Sequence, residues 1–210
     1  QTCALPIYML PCLIDTGDTA WMLAATSMVL LMSPGVGFFY GGLARSKNIV
    51  NVLGMTLIVM GLMSVQWILW GYSLAFAPNA DEGANMFMGS LDYAGFNMVS
   101  NYAPLGAPTA CDGDIWSNAY QMQQMKAEEA CGDSWPSTVP HSLFAAFQGT
   151  FAIITPVLII GGLVDRMKFS AIIIFMLLWG TFVYDPIAHW VWGGGFVGGG
   201  GLDIDPEIEE

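Results

Sequence analysis

From Ala20 to Leu43 the chain carries no Asp, Glu, Lys or Arg, and the same holds from Ile49 to Ala77 and from Val139 to Val164. Each run is long enough to cross the hydrocarbon core of a bilayer as a helix, which takes about 20 predominantly apolar residues. A fourth run, Phe169 to Trp192, holds one carboxylate, Asp185, followed by Pro186. Inside hydrocarbon every backbone polar group must find its partner within the protein, and helices meet that demand segment by segment. The predicted fold class is therefore all-α: a polytopic transmembrane helical bundle with spans near 20–43, 49–77, 139–164 and 169–192. Composition agrees, since 55% of the 210 residues are hydrophobic and 10% are charged, against about 25% charged in a soluble domain. Pro186 is expected to kink the fourth span and let Asp185 reach the membrane interface.

The net charge is −12, and apart from Asp185 the charged residues lie outside the spans. Arg45 and Lys47 follow the first span, and Arg166 and Lys168 follow the third. Short loops rich in Lys and Arg stay cytoplasmic, which puts the N-terminus and the long acidic loop 78–138 on the extracytoplasmic side of a cell membrane. That loop holds one cation, Lys126, and a short amphipathic helix is expected near 118–130. Cys111 and Cys131 lie in the same loop, where an oxidising compartment would permit a disulfide worth about 3 kcal/mol on the chain-entropy model. Neither a CxxC pair nor a Cys/His cluster with metal spacing occurs, so no metal site and no cofactor is expected. Membrane lipid is the expected surrounding partner, and nucleic acid is not.

Within the spans, Asp18 or Thr19 is expected to cap the first helix. Gly35, Gly37, Gly41 and Gly42 permit close helix approach. Trp67, Trp70, Tyr72 and Phe76 read as an interfacial aromatic belt at the end of the second span. Gln66, a lone amide beside them, is expected to bond a neighbouring helix rather than a substrate. Phe144, Phe147 and Phe151 recur at helical spacing on one face of the third span, which fits packing or a functional lining. The first seven residues, QTCALPI, can be back-translated into part of a common sequencing-library adapter, so Gln1 to Ile7 are expected to be translated adapter.

The strings GVGFFYGGLARSKN, WGYSLAF, AFQGTFA, DRMKFSA and DPIAHWVWGGG occur in this order. Together they resemble the ammonium transporter family (Amt/Mep/Rh), with the Amt branch the nearer match, over residues 8–203. The resemblance implies the first four helices of an eleven-helix inverted-repeat transporter, active as a homotrimer, with ammonium or ammonia as substrate. A PII-type regulator on the cytoplasmic side is a possible partner in such a protein. It implies that Trp192, in the WGGG string, recruits ammonium at the outer mouth. Phe151 matches the outer member of a phenylalanine gate, Phe147 its neighbour in the vestibule, and Tyr40 an aromatic toward the inner end of the pore. Asp203, in LDI, corresponds to a structural aspartate. Residues 204–210 depart from the family pattern, which implies a divergent, truncated tail. The family's second gate phenylalanine and paired pore histidines have no counterpart here. His141 and His189 do not match those histidines and are read as interfacial or hydrogen-bonding groups.

Two other readings compete. Some relatives sense ammonium and pass the signal to a further domain, and a kinase or cyclase following the last span would favour that. An intramembrane enzyme could use Asp185 and His189, four residues apart, but no nucleophile or metal set accompanies them. The glycine run after Trp192 lacks the GK[ST] ending of a phosphate loop. The expected function is therefore transmembrane ammonium transport, without enzymatic activity.

Overall fold

The computed structural model describes residues 14–79, 81–99, 101, 138–164 and 166–197. Four helical stretches are long and apolar enough to cross a membrane, and no β-strand element occurs among the described residues. The first is α1, Thr16–Leu43. The second consists of a 3₁₀ turn, Ser46–Asn48, then α2, Ile49–Gln66, a π-helical turn, Trp67–Gly71, and α3, Tyr72–Phe76. A short helix, α4, covers Glu82–Asn85. The third span is α5, His141–Leu163. The fourth runs through α6, Phe169–Trp179, a second π-helical turn, Gly180–Tyr184, and α7, Asp185–Trp192. The amphipathic helix expected near 118–130 lies outside the described residues, as do Gln1 to Ile7.

By compactness the chain forms two units, Gln1–Ala25 with Met98–Phe147, and Thr26–Asn97 with Gln148–Glu210. In the first unit the start of α1 is set by Asp15. Its Oδ1 accepts the Asp18 backbone N–H at 2.9 Å, the bond by which an N-cap satisfies an otherwise orphaned helix amide. The cap was expected at Asp18 or Thr19, so the helix begins earlier than the sequence suggested. Of the two acids in DTGD, Asp15 precedes the first helical residue, Thr16, whereas Asp18 already lies in the first turn. The Asp18 carboxylate instead accepts the Thr138 hydroxyl, and the Asp15 N–H donates to the Thr138 carbonyl at 2.8 Å.

The second unit holds the main apolar core. Met55, Val59 and Met63 of α2 meet Ile153, Val157 and Ile160 of α5 and Ile172 and Met176 of α6. Helical spacing puts the three α2 residues on one stripe, which is why a single face of that helix can be buried. In α1, Gly37 and Gly41 are buried whereas Gly35 and Gly42 are not. A Cβ at Gly37 would come within 2.9 Å of the Thr56 side chain, so glycine is what lets α1 approach α2 there.

Trp67, Tyr72 and Phe76 are buried rather than forming an interfacial belt. Trp67 meets Tyr72 and Tyr184 edge-on at 5.6 and 6.3 Å, and Tyr72 stacks on Phe76 and Tyr93 at 5.5 and 5.9 Å. Edge-on and offset contacts of this kind are the favoured arrangements of aromatic pairs. Burial and the neighbouring Asp92 push the Tyr93 phenol above its ordinary pKa, so it stays neutral in this cluster.

Pro186 falls at the start of α7, directly after the π turn. Proline cannot donate to the helical ladder, and a π turn is where that ladder is already loosened. The outward faces of the spans remain apolar: Leu31, Phe38 and Phe39 on α1, Val50 and Leu57 on α2, and Ile174, Leu178 and Phe182 along the fourth span are all exposed. Surface of that kind needs lipid or further protein against it.

Candidate transport surface

The last helix ends at a glycine turn. The N–H groups of Gly193 and Gly195 both donate to the His189 carbonyl, at 2.9 and 3.0 Å, and Gly194 takes a φ of 90°. That backbone conformation is one side chains rarely adopt. A Cβ at Gly193 would run into the Ala75 carbonyl, and one at Gly195 would lie 2.7 Å from the Trp190 Cα. The glycine string is thus required by close packing of the turn against α3 and against α7 itself.

The two tryptophans before that turn have different surroundings. Trp190 donates its indole N–H to the Phe87 carbonyl at 2.8 Å and lies 5.2 Å from the Phe196 ring. Trp192 is 62% exposed. His189 is fully buried: Nδ1 lies 2.9 Å from the Ala75 carbonyl oxygen and Nε2 2.6 Å from that of Asn85. Of the two roles expected for His189, the structure shows the hydrogen-bonding one. It ties the start of the glycine turn to α3 and to α4.

Phe151 is half-buried on α5, and Tyr40 is half-buried on α1 with its hydroxyl donating to the Leu158 carbonyl at 3.0 Å. The Tyr40 ring lies against Gly161, where a Cβ would sit 2.7 Å from it. The structure thus brings Tyr40 and Phe151 to the same helix. Gly161 is ten residues beyond Phe151 on α5, a separation of about 15 Å at 1.5 Å per residue. Trp192 stands apart from both in sequence and fold, at the end of α7. Phe147 is half-buried in the first compact unit, where His141 is buried. Asp203, Cys111 and Cys131 lie outside the described residues.

One group was misplaced by the sequence reading, and its importance was missed. Asp185 does not reach the interface; it is fully buried and accepts a hydrogen bond from the Gln66 Nε2 at 2.6 Å. Gln66 bonds a neighbouring helix as expected. The available signal was the Gln66 amide and the Asp185 acid, each within a largely apolar span and each needing a partner. A second polar bond joins the same two spans, from the Trp70 indole N–H to the Thr181 hydroxyl at 3.0 Å.

Four long apolar helices joined by a few buried polar bonds define a polytopic membrane protein. The sequence profile of the Ammonium Transporter Family matches residues 20–205, and the chain belongs to that family. It is 42% identical to an ammonium transporter of Mycobacterium bovis over 177 residues, which covers 84% of this chain and 33% of that protein. To an ammonium transporter of Bacillus subtilis it is 38% identical over 192 residues, covering 91% of this chain and 39% of that protein. Among solved structures, that of Saccharomyces cerevisiae Mep2 superposes with a TM-score of 0.64 at 32% identity, covering 87% of this chain and 33% of the other. The chain spans between about a third and two fifths of the length of these relatives.

Proposed function

We propose that the protein of which this chain is part moves ammonium or ammonia across a cell membrane, with Trp192 recruiting the ion and Phe151 gating its entry. The observation that carries the reading is the exposed indole of Trp192 at the end of a membrane-length helix in a member of this family. Ammonium is a compact cation with four N–H donors. The face of an indole attracts such an ion through the ring quadrupole, by about 2 kcal/mol once both are desolvated. Stripping the ion of water in an apolar passage costs far more, so recruitment at the mouth and conduction through the pore are separate tasks. Phe147 is proposed as Phe151's neighbour in the vestibule, Tyr40 as an aromatic lining the far end of the pore, and Asp203 as a structural group.

The proposed orientation has the N-terminus and loop 78–138 extracytoplasmic. Its support is that Arg45, Lys47, Asn48 and Arg166 line one recess of about 530 Å³, which brings together three of the four basic residues following the first and third spans. We place a PII-type regulator, if one binds, at this end. The exposed apolar faces of α1 and α6 are consistent with assembly as a homotrimer in lipid.

Uptake of methylammonium by cells expressing the complete protein tests the site assignment. Trp192→Leu is expected to raise KM several-fold with a smaller effect on maximal rate, and Phe151→Ala to abolish uptake or relax selectivity. Parent-like uptake by both variants at all concentrations would remove the assignment.

A further inference from the structure

Asp185 is a fully buried carboxyl group in a membrane-spanning helix. Its Oδ2 accepts the Gln66 amide N–H, while its Oδ1 and the Gln66 Oε1 have no hydrogen-bond partner. Two neighbouring planar groups are thus joined by one bond, and each has one acceptor to spare. Among the described residues no cationic nitrogen pairs with the carboxyl group. The titratable neighbours on its own stretch are Tyr184, immediately before it, and His189, whose two ring nitrogens lie against the Ala75 and Asn85 carbonyls. Tyr72 of α3 is a further titratable group in these two spans, and α2 meets Asp185 through the Gln66 amide.

The surroundings are built for this pair. Gln66 is the last residue before the first π turn, and Asp185 is the first after the second. Both turns contain a glycine at the amide. A Cβ at Gly71 would lie 2.8 Å from the Gln66 Nε2 and 2.9 Å from its Oε1, and one at Gly180 would lie 2.5 Å from the Met63 Cε and 3.9 Å from the Gln66 Cδ. The two glycines therefore leave room for the Gln66 and Met63 side chains, within turns where the helices are widened.

An unpaired carboxylate in this place would cost several kcal/mol even after relaxation. A carboxylic acid has one donor and one acceptor, and so does the edge of a primary amide. We propose that Asp185 is a protonation site: its carboxylate takes one proton from water, and the resulting O–H donates to the Gln66 Oε1. This closes a two-bond acid–amide pair that joins α2 to α7. No electron moves and no co-reactant is needed. Both orphaned oxygens gain a partner in the same step.

Infrared spectroscopy of the complete protein in lipid vesicles at neutral pH tests this, in buffer free of ammonium. The parent should show a carboxylic acid C=O band above the amide I envelope that shifts on exchange into D2O. The band should be absent in Asp185→Asn and should move to higher frequency in Gln66→Leu, where the acceptor is lost. Asp185→Asn can still pair with Gln66 through two amide bonds, so its melting temperature should match the parent, while that of Asp185→Ala should fall. A parent spectrum with no acid band attributable to Asp185 would overturn the proposal whether or not any variant folds. So would loss of the band on adding ammonium or sodium chloride, which would place a cation between the two oxygens. An Asp185→Asn protein that melts as low as Asp185→Ala would overturn it as well.

Discussion

At the scale of single residues, what decides a position's role here is the atom it meets. Trp190 and Trp192 look interchangeable in the string HWVWGGG. Only packing separates them, by giving one indole N–H a carbonyl and leaving the other ring exposed. Glycines divide in the same way. Gly37 and Gly42 both read as small residues on α1, but a Cβ at Gly37 meets Thr56 while one at Gly42 meets nothing within 4 Å. Gly37→Ala in the complete protein is expected to cost about 1–3 kcal/mol, the usual penalty for overpacking a filled site. Thr56→Ala in the same background should recover part of that loss, because it removes the atoms the new methyl strikes. Thermal unfolding of the single and double variants in detergent checks this, and simple additivity of the two changes would show that the contact does not set the approach of α1 to α2.

At the scale of elements, the four spans were legible because hydrocarbon allows few alternatives to a long uncharged helix. The π turns inside the second and fourth spans were not. A π turn inserts one residue without changing the composition, and it shifts every side chain after it around the helix. Of the aromatic belt expected of Trp67, Trp70, Tyr72 and Phe76, three rings are core and Trp70 is half-buried, and Asp185, after the second turn, is buried as well. Pairing across the two turns fixes their register. Trp70 lies in one and Thr181 in the other, joined by a 3.0 Å hydrogen bond. Thr181→Val keeps the side chain's shape and removes the acceptor, which should destabilise by about 1 kcal/mol. Trp70→Phe should cost little more once Thr181 is already Val. A double-mutant cycle on melting temperature would show that coupling, and its absence would mean that the turns are held by packing alone.

At the scale of the whole molecule, the question is where an ion could pass. The seam among α2, α5 and α6 is closed by eight buried apolar side chains, from Met55 to Met176. A filled apolar seam has neither room nor partners for water, still less for a hydrated cation. On the proposed assignment of Phe151 as a gate, the ion's path runs beside these helices rather than through the seam, and Phe151 and Tyr40 are half-buried. The opposite wall of such a path has to come from elsewhere in the protein, in keeping with relatives of which this chain covers only about a third to two fifths. This was not legible from residue types, because an apolar lining and an apolar core have the same composition. The 210-residue chain reconstituted alone should then insert as helices yet leave ammonium permeability at the level of empty vesicles. The complete protein at equal density should raise it well above that level. Light scattering after an ammonium gradient compares the two directly. Flux through the short chain that is lost on Phe151→Trp would place the whole path within these four spans and reverse the assignment of the seam as closed.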